Sequence, residues 1–161
     1  MNYTTLTHEC QIMERLHSII SSANTYWFDT YGFTVTQVPK AIIKLDYTLY
    51  KLQQEFNADP VILKMSPMLF YKFHIDAFRP CAVNMLLQGF DSSLFYGTPG
   101  YHDELMNIEE LVYEEKKLYL LNTQRHHAVL NKSQPRYLFS MGINLPHSYL
   151  QVKQYINDNK L

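Results

Sequence analysis

Four residues of this chain have the types and the spacing of a metal and carboxylate site: His74, Asp76, His127 and Arg136. The first histidine and the aspartate stand two positions apart, the second histidine follows about fifty residues later, and the arginine stands nine positions beyond it. Two imidazoles and one carboxylate are the protein ligands of a facial Fe(II) site that leaves its other positions open. A guanidinium is a planar, bidentate partner for a carboxylate. Together they predict an oxygenase that uses Fe(II) and a carboxylate-bearing co-substrate, for which 2-oxoglutarate fits.

Two adjacent histidines leave a choice of second ligand, because neighbouring side chains of a strand point to opposite faces. We choose His127. Its nine-residue offset from Arg136 suits a hairpin through residues 131–135, which would bring the two residues side by side. His126 would then point outward or pack behind the site.

Strand alternation also divides residues 136–143 into two faces. Arg136, Leu138, Ser140 and Gly142 share one face, and Tyr137, Phe139, Met141 and Ile143 share the other. The apolar second set is typical of a strand packed beneath a helix. The first set predicts a barrel interior, with Ser140 helping Arg136 to hold a carboxylate. Because an unpaired buried arginine is very costly, the far carboxylate of the co-substrate is its expected counter-charge.

The elements that must position these residues form a helical front, over about residues 1–58, and a β-rich body, over about 60–145. Apolar residues at helical spacing predict one helix over 7–23, capped by Thr7, and a second over 39–57. A short strand at 42–45 before a shorter helix remains an alternative to the second helix. Short apolar runs broken by turns predict strands at 61–65, 68–74, 81–87, 93–96, 108–113, 118–121, 127–130 and 136–143. A final helix over about 147–158 closes the chain.

The number and spacing of these strands predict the fold class: mainly β with flanking helices, as a double-stranded β-helix, the cupin-like jelly roll. Inward side chains of such a barrel converge on a small volume. A His-x-Asp at a strand end and a histidine on a facing strand can therefore hold one face of an octahedral metal. We expect a single domain over residues 1–161.

Composition argues against several classes of protein. Charged residues make up 18% of the chain and the net charge is −1. The chain therefore lacks the excess of positive charge that is typical of proteins that bind nucleic acid or an anionic membrane. No apolar run approaches the roughly 20 residues that span a bilayer, and the N-terminus lacks the layout of a signal peptide. Cys10 and Cys81 form no motif, which favours a reducing cytoplasm.

Two segments carry a resemblance to a known family. Residues 64–89 read KMSPMLFYKFHIDAFRPCAVNMLLQG, and residues 117–143 read KLYLLNTQRHHAVLNKSQPRYLFSMGI. Both resemble the catalytic core of 2-oxoglutarate-dependent oxygenases, most closely the aspartyl/asparaginyl β-hydroxylase-like branch. The matching features are the proline before His74, the Cys-x-x-x-Met-x-Leu strand after it, and the H-x-V-x-N block that precedes Arg136. They cover about half the chain and leave the front helices unmatched.

The resemblance implies that His74, Asp76 and His127 bind Fe(II), and that Arg136 binds 2-oxoglutarate. It also implies O2 as the oxidant, ascorbate as a candidate reductant, and a protein side chain or an amino-acid-like small molecule as the prime substrate. Asn84 falls where the family often places a polar residue near the co-substrate. Some β-hydroxylases of this branch lack the acidic ligand, whereas this chain retains Asp76 and so is similar to a conventional triad hydroxylase.

Other interpretations remain open from the sequence. The chain could be a non-catalytic jelly-roll protein that keeps its pocket for binding or scaffolding. A cupin with another divalent metal is disfavoured, because nothing would then pair with Arg136. Arg79 could contact a substrate carboxylate or could be a solvated loop arginine. Residues 91–107 could form a lid or a plain connector.

Overall fold

The structure, a computed structural model, describes residues 1–30, 32–100 and 104–161. Its elements in chain order are β1 (Tyr3–Glu9), α1 (Met13–Ser21), β2 (Phe28–Thr30), β3 (Phe33–Gln37), α2 (Lys40–Ile43), α3 (Tyr47–Phe56), β4 (Asp59–Met65), β5 (Phe70–His74), β6 (Cys81–Gln88), β7 (Ser93–Pro99), β8 (Leu105–Leu111), β9 (Lys117–Asn122), β10 (His127–Leu130), β11 (Arg136–Ile143) and α4 (Tyr149–Asn159). Within the described ranges, every helix is too short or too polar to cross a bilayer.

The strands form two antiparallel sheets whose pairing is nested. β7 pairs with β8, β6 with β9, β5 with β10 and β4 with β11. Pairing of β6 with β11 and of β7 with β10 then closes the ribbon into a roll. The result is a seven-stranded sheet in the order β1-β9-β6-β11-β4-β3-β2 facing a four-stranded sheet in the order β5-β10-β7-β8. This arrangement is the predicted jelly roll.

Both faces of the larger sheet are buried. Helices α1, α3 and α4 cover the outer face, where Leu16 and Leu52 pack in one cluster with Phe139. On the inner face, Leu138 packs in a second cluster with Val129 of the smaller sheet. Neighbouring residues of β11 thus point into different layers, as alternation predicts.

All eight predicted jelly-roll strands are present, with ends that move by a few residues. The strands β7 and β8 take up most of the segment 91–107, for which the sequence left a lid or a plain connector open. Residues Tyr101 and His102 of that segment lie outside the described residues.

The front of the chain is less helical than predicted. Thr7 lies within β1, an edge strand paired with β9, and caps no helix. Helix α1 begins only at Met13. Strands β2 and β3, which were not predicted, extend the larger sheet beyond β4.

The predicted helix over 39–57 is broken into α2 and α3, and the alternative strand at 42–45 is also wrong. The break lies at Asp46, whose side chain accepts a hydrogen bond from Leu49 N at 3.0 Å and so caps α3. The same carboxylate accepts from Gln11 N at 2.9 Å and lies 3.1 Å from His8 Nε2. Asp46 therefore ties the end of β1 to the start of α3, a contact that no local pattern shows.

Candidate metal centre

The two candidate histidine ligands lie on neighbouring strands of the smaller sheet, where the sequence suggested facing strands. His74 ends β5 and His127 begins β10, and the two Cα atoms are register partners. The next paired residues are Tyr71 and Val129, so β5 holds one residue more than β10 over this stretch. The bulge turns both Tyr71 and His74 into the cavity between the sheets.

Asp76 completes a cluster that could hold a metal ion. One ligand atom from each of His74, Asp76 and His127 can be chosen so that all lie within 4.8 Å of one another. The imidazole centroids are 4.2 Å apart, and His74 Nε2 lies 3.5 Å from Asp76 Oδ1. His127 is 7% exposed and lines the cavity, which confirms the inward orientation predicted for it.

Backbone carbonyls select the ring nitrogen that each histidine can offer. His74 Nδ1 lies 2.8 Å from the oxygen of Lys72, and His127 Nδ1 lies 2.8 Å from the oxygen of Arg125. A carbonyl only accepts hydrogen bonds, so each Nδ1 carries the proton. In the neutral form of each ring, Nε2 then carries the lone pair that a metal would take, the arrangement by which an outer hydrogen bond orients a ligating histidine.

The charges of the cluster also suit a divalent cation. Burial by itself would raise the pKa of Asp76, but the contacts with His74 and Arg79 outweigh it and hold that pKa at about 2. Burial lowers the pKa of His127 to about 4. Burial also acts to lower the pKa of His74, yet the contacts with Asp76 and with the backbone carbonyl of Lys72 together outweigh it and the pKa is raised. A carboxylate that stays ionised beside a neutral imidazole is what metal binding requires.

Arg136 lies deep in the same cavity and is 3% exposed. Its Nε donates to Ser92 Oγ at 3.0 Å, and its guanidinium carbon is 5.7 Å from the centre of the Tyr113 ring. Within residues 1–30, 32–100 and 104–161, no carboxylate forms an ion pair with it. Burial lowers the pKa of Arg136, so the environment disfavours its charge. A buried guanidinium without an acidic partner is a strong attractor for an anion.

Three other buried groups in this cavity lack hydrogen-bond partners: Asn84 Oδ1, Tyr113 Oη and Ser140 Oγ. Asn84 and Ser140 are Cα partners across β6 and β11. Buried polar atoms are normally satisfied, so these three indicate a site built for a polar ligand. Alternation predicted the inward position of Ser140. Tyr113 and Ser92 were missed. Tyr113 ends a predicted strand that stops at Leu111 in the structure, and Ser92 lies just before β7, so alternation gives neither side chain its direction.

One cavity of about 620 Å³ contains the three candidate ligands and Arg136. Its volume is in the range of small-molecule sites. The predicted hairpin between β10 and β11 is wrong, however, because these strands belong to opposite sheets. His127 and Arg136 therefore approach the cavity from opposite walls.

No family model matches this chain, and no curated protein matches it by sequence. Solved structures do match its fold. One is an oxidoreductase of the 2OG-Fe(II) oxygenase family from Burkholderia pseudomallei, with a TM-score of 0.65, 12% identity and coverage of 89% of this chain and 84% of that one. Another is a prolyl-4-hydroxylase from Pseudomonas putida, with a TM-score of 0.64, 10% identity and coverage of 89% and 92%.

A third match is HygX from Streptomyces hygroscopicus, solved with nickel, 2-oxoglutarate and hygromycin B bound. Its TM-score is 0.63 at 11% identity, with 92% of this chain and 85% of that one covered. None of these three singles out the aspartyl/asparaginyl branch. At such identities the likeness establishes the fold alone, which is the jelly roll described above.

Proposed function

We propose that the protein is an Fe(II)- and 2-oxoglutarate-dependent dioxygenase that acts as a hydroxylase. One observation carries the proposal: a His, Asp and His cluster with metal-ligand spacing shares its cavity with a buried arginine that has no acidic partner among the described residues. The metal-ligand cluster and the buried arginine support each other as evidence, since a chelating 2-oxo acid needs both a metal with open positions and a cation for its far carboxylate.

Iron and the far carboxylate of 2-oxoglutarate would be bound by different residues, at two ends of the cavity. His74, Asp76 and His127 would hold the iron through two Nε2 atoms and one carboxylate oxygen. Arg136 would hold the far carboxylate of 2-oxoglutarate, with Ser140 and Asn84 as polar neighbours. Bound iron, with 2-oxoglutarate and O2, supplies the oxidising power for C–H hydroxylation and yields succinate and CO2. Ascorbate is a candidate reductant.

The burial of Arg136 strengthens the ion pair that it would form with the far carboxylate of 2-oxoglutarate. Water is largely excluded from its guanidinium, so an ion pair formed there is screened much less than one at the surface. Retention of Asp76 favours hydroxylation over halogenation, which needs that coordination position free for chloride.

For the prime substrate, we infer a side chain within a protein or peptide in preference to a free amino acid. Among the described residues that line the cavity, apart from the imidazoles, the charged groups are Asp76, Arg79 and Arg136. Arg79 and Asp76 pair with each other, and Arg136 is assigned to the co-substrate. Among the described lining residues, no charge then remains for the α-carboxylate and α-ammonium of a free amino acid, whereas a peptide unit is neutral.

The decisive experiment is turnover of 2-oxoglutarate to succinate by protein loaded anaerobically with Fe(II) and then exposed to O2. Peptides are compared with the corresponding free amino acids as prime substrates. The matched control is Asp76→Ala, which removes one ligand and should abolish turnover. If the wild type binds Fe(II) and 2-oxoglutarate but forms no succinate with any substrate and none without one, the protein is a catalytically silent binding or scaffold jelly roll.

A further inference from the structure

We propose that Arg79 is a positioning residue that leaves Asp76 a single oxygen, Oδ1, for the metal. The proposal rests on the metal centre described above. Its basis is a pair of hydrogen bonds to the other oxygen: Arg79 Nε and Nη2 donate to Asp76 Oδ2 at 2.9 and 2.7 Å. Oδ1 is left facing the imidazole of His74, at 3.5 Å from its Nε2.

The number of carboxylate oxygens on the metal decides how many positions remain for chemistry. A carboxylate can bind a metal through one oxygen or through both. A facial set of two imidazoles and one oxygen leaves three of six positions open, two for a chelating 2-oxo acid and one for O2. A second oxygen from Asp76 would close one of them. Two charge-assisted hydrogen bonds to Oδ2 oppose that second contact.

Contacts at the backbone and along the side chain of Arg79 hold it in this position. At the backbone, the Thr123 hydroxyl donates to the carbonyl oxygen of Arg79. Along the side chain, Arg79 passes over Gly142 of β11: a Cβ built on Gly142 would lie 2.8 Å from Arg79 Cδ. The three atoms nearest to that Cβ all belong to Arg79. Glycine at this position therefore provides the space that the arginine side chain fills.

Stability is a weak reason for such an arrangement. The side chains of Arg79 and Asp76 are 35% and 18% exposed, and ion pairs at this degree of exposure contribute little to folding. The pair also leaves Arg79 poorly suited to bind a substrate carboxylate, because two of its donors are already used. Geometry at the metal is the role that these contacts fit best.

The test uses Mn(II) as a probe of the full-length protein without 2-oxoglutarate. Affinity is measured from the free Mn(II) signal in electron paramagnetic resonance. Open positions are measured from the relaxation of water protons, because each water on Mn(II) speeds that relaxation. Variants are Arg79→Met, Arg79→Lys and Gly142→Ala, and Arg15→Met is the control, since Arg15 is an exposed arginine on α1.

We expect Arg79→Met to weaken Mn(II) binding about tenfold or more, the usual effect of losing a residue that orients a ligand. Relaxation per bound Mn(II) should fall by about a third, because one of three open positions closes. Gly142→Ala should act in the same direction by displacing Arg79, although it alters neither Arg79 nor a ligand. Arg79→Lys should keep part of the wild-type affinity and relaxation, since lysine keeps the positive charge but lacks the planar, forked guanidinium. Arg15→Met should match the wild type.

Unchanged affinity and relaxation in Arg79→Met would overturn the positioning role. It is also overturned if Arg79→Met lowers the melting temperature of the metal-free protein but keeps the wild-type relaxation per bound Mn(II), because the pair is then a fold contact alone. A wild-type protein that binds no Mn(II) is a separate result, which removes the metal centre itself.

Discussion

At the scale of single residues, His74 and Asp76 are placed so that they can be removed without opening the core. Their side chains are 26% and 18% exposed. Truncation there creates no large buried cavity, the usual cause of severe destabilisation. We expect His74→Ala and Asp76→Ala to abolish Fe(II) binding while the metal-free variants melt near the wild type. Anaerobic calorimetric titration with Fe(II) or Mn(II) measures this, and undiminished affinity in both variants would remove the triad assignment.

The adjacent histidines give a second comparison at this scale. His127 lines the cavity beside His74, whereas His126 is absent from the lining. We expect His127→Ala to lose metal binding and His126→Ala to retain it, with the same titration as the measurement. Because His126 is the residue just before β10 and the two histidines are adjacent, each variant is the control for the other. The reverse result would assign the second ligand to His126.

Residue type and spacing alone pointed to four of the site residues, and strand alternation added the inward position of Ser140. The placement of Tyr71 beside His74 could not be predicted in this way. Strict alternation back from His74 would turn Tyr71 away from the cavity, and only the extra residue in β5 returns it. A bulge depends on how the partner strand pairs, and the sequence of β5 does not specify that partner.

At the scale of elements, the connection between β10 and β11 shows why the predicted hairpin was wrong. Its length suits a hairpin, but several of its hydrogen bonds go to the end of β4 and to the connection between β4 and β5. Asn131 Nδ2 donates to the carbonyl oxygens of Met65 and Ser66 at 3.2 and 2.6 Å, and Met68 N donates to Lys132 O at 2.7 Å. The two corners of the roll thus bind each other, a long-range contact that local turn chemistry does not contain.

Gly89, just after β6, controls how closely that strand approaches β11. Its φ is +86°, and a Cβ there would lie 2.8 Å from Arg136 Cα and 2.9 Å from Pro135 O. Gly32 has a φ of +84° but has no atom within 4 Å of such a Cβ, so it is the matched control.

We expect Gly32→Ala to lower the free energy of unfolding by about 1–2 kcal/mol through backbone strain alone. Gly89→Ala should cost about 1–3 kcal/mol more, because backbone atoms must shift to relieve the overlap. Urea denaturation of the two variants gives the difference. Equal losses would mean that β11 can move away from Gly89 without a cost.

At the scale of the whole molecule, 2-oxoglutarate should stabilise the metal-loaded protein. A ligand that binds only the folded state adds about 2.7 kcal/mol at a hundredfold excess over its dissociation constant. For a chain of this size, that is a rise of several degrees in the melting temperature. Succinate, which lacks the keto group, should raise it less.

Arg136 should account for much of this effect. Arg136→Lys keeps the charge without the planar fork and should weaken the rise, and Arg136→Met should nearly remove it. A full response in Arg136→Met would move the carboxylate clamp to Arg79. Lys64 is a poorer candidate, because its ammonium lies 5.9 Å from the Trp27 ring and 5.7 Å from the Tyr137 ring and it is absent from the cavity lining.

The nested pairing of the strands has a consequence for how the protein comes to fold. Loop closure costs less entropy for β7 with β8 than for β4 with β11, whose partners are far apart in sequence. We expect refolding to proceed outward from the β7–β8 hairpin, with β11 docking last, and hydrogen-exchange pulses should protect amides in that order. His74 and His127 would then meet across β5 and β10 before Arg136 is carried in on β11. A nascent chain would acquire its affinity for metal ahead of its affinity for the co-substrate.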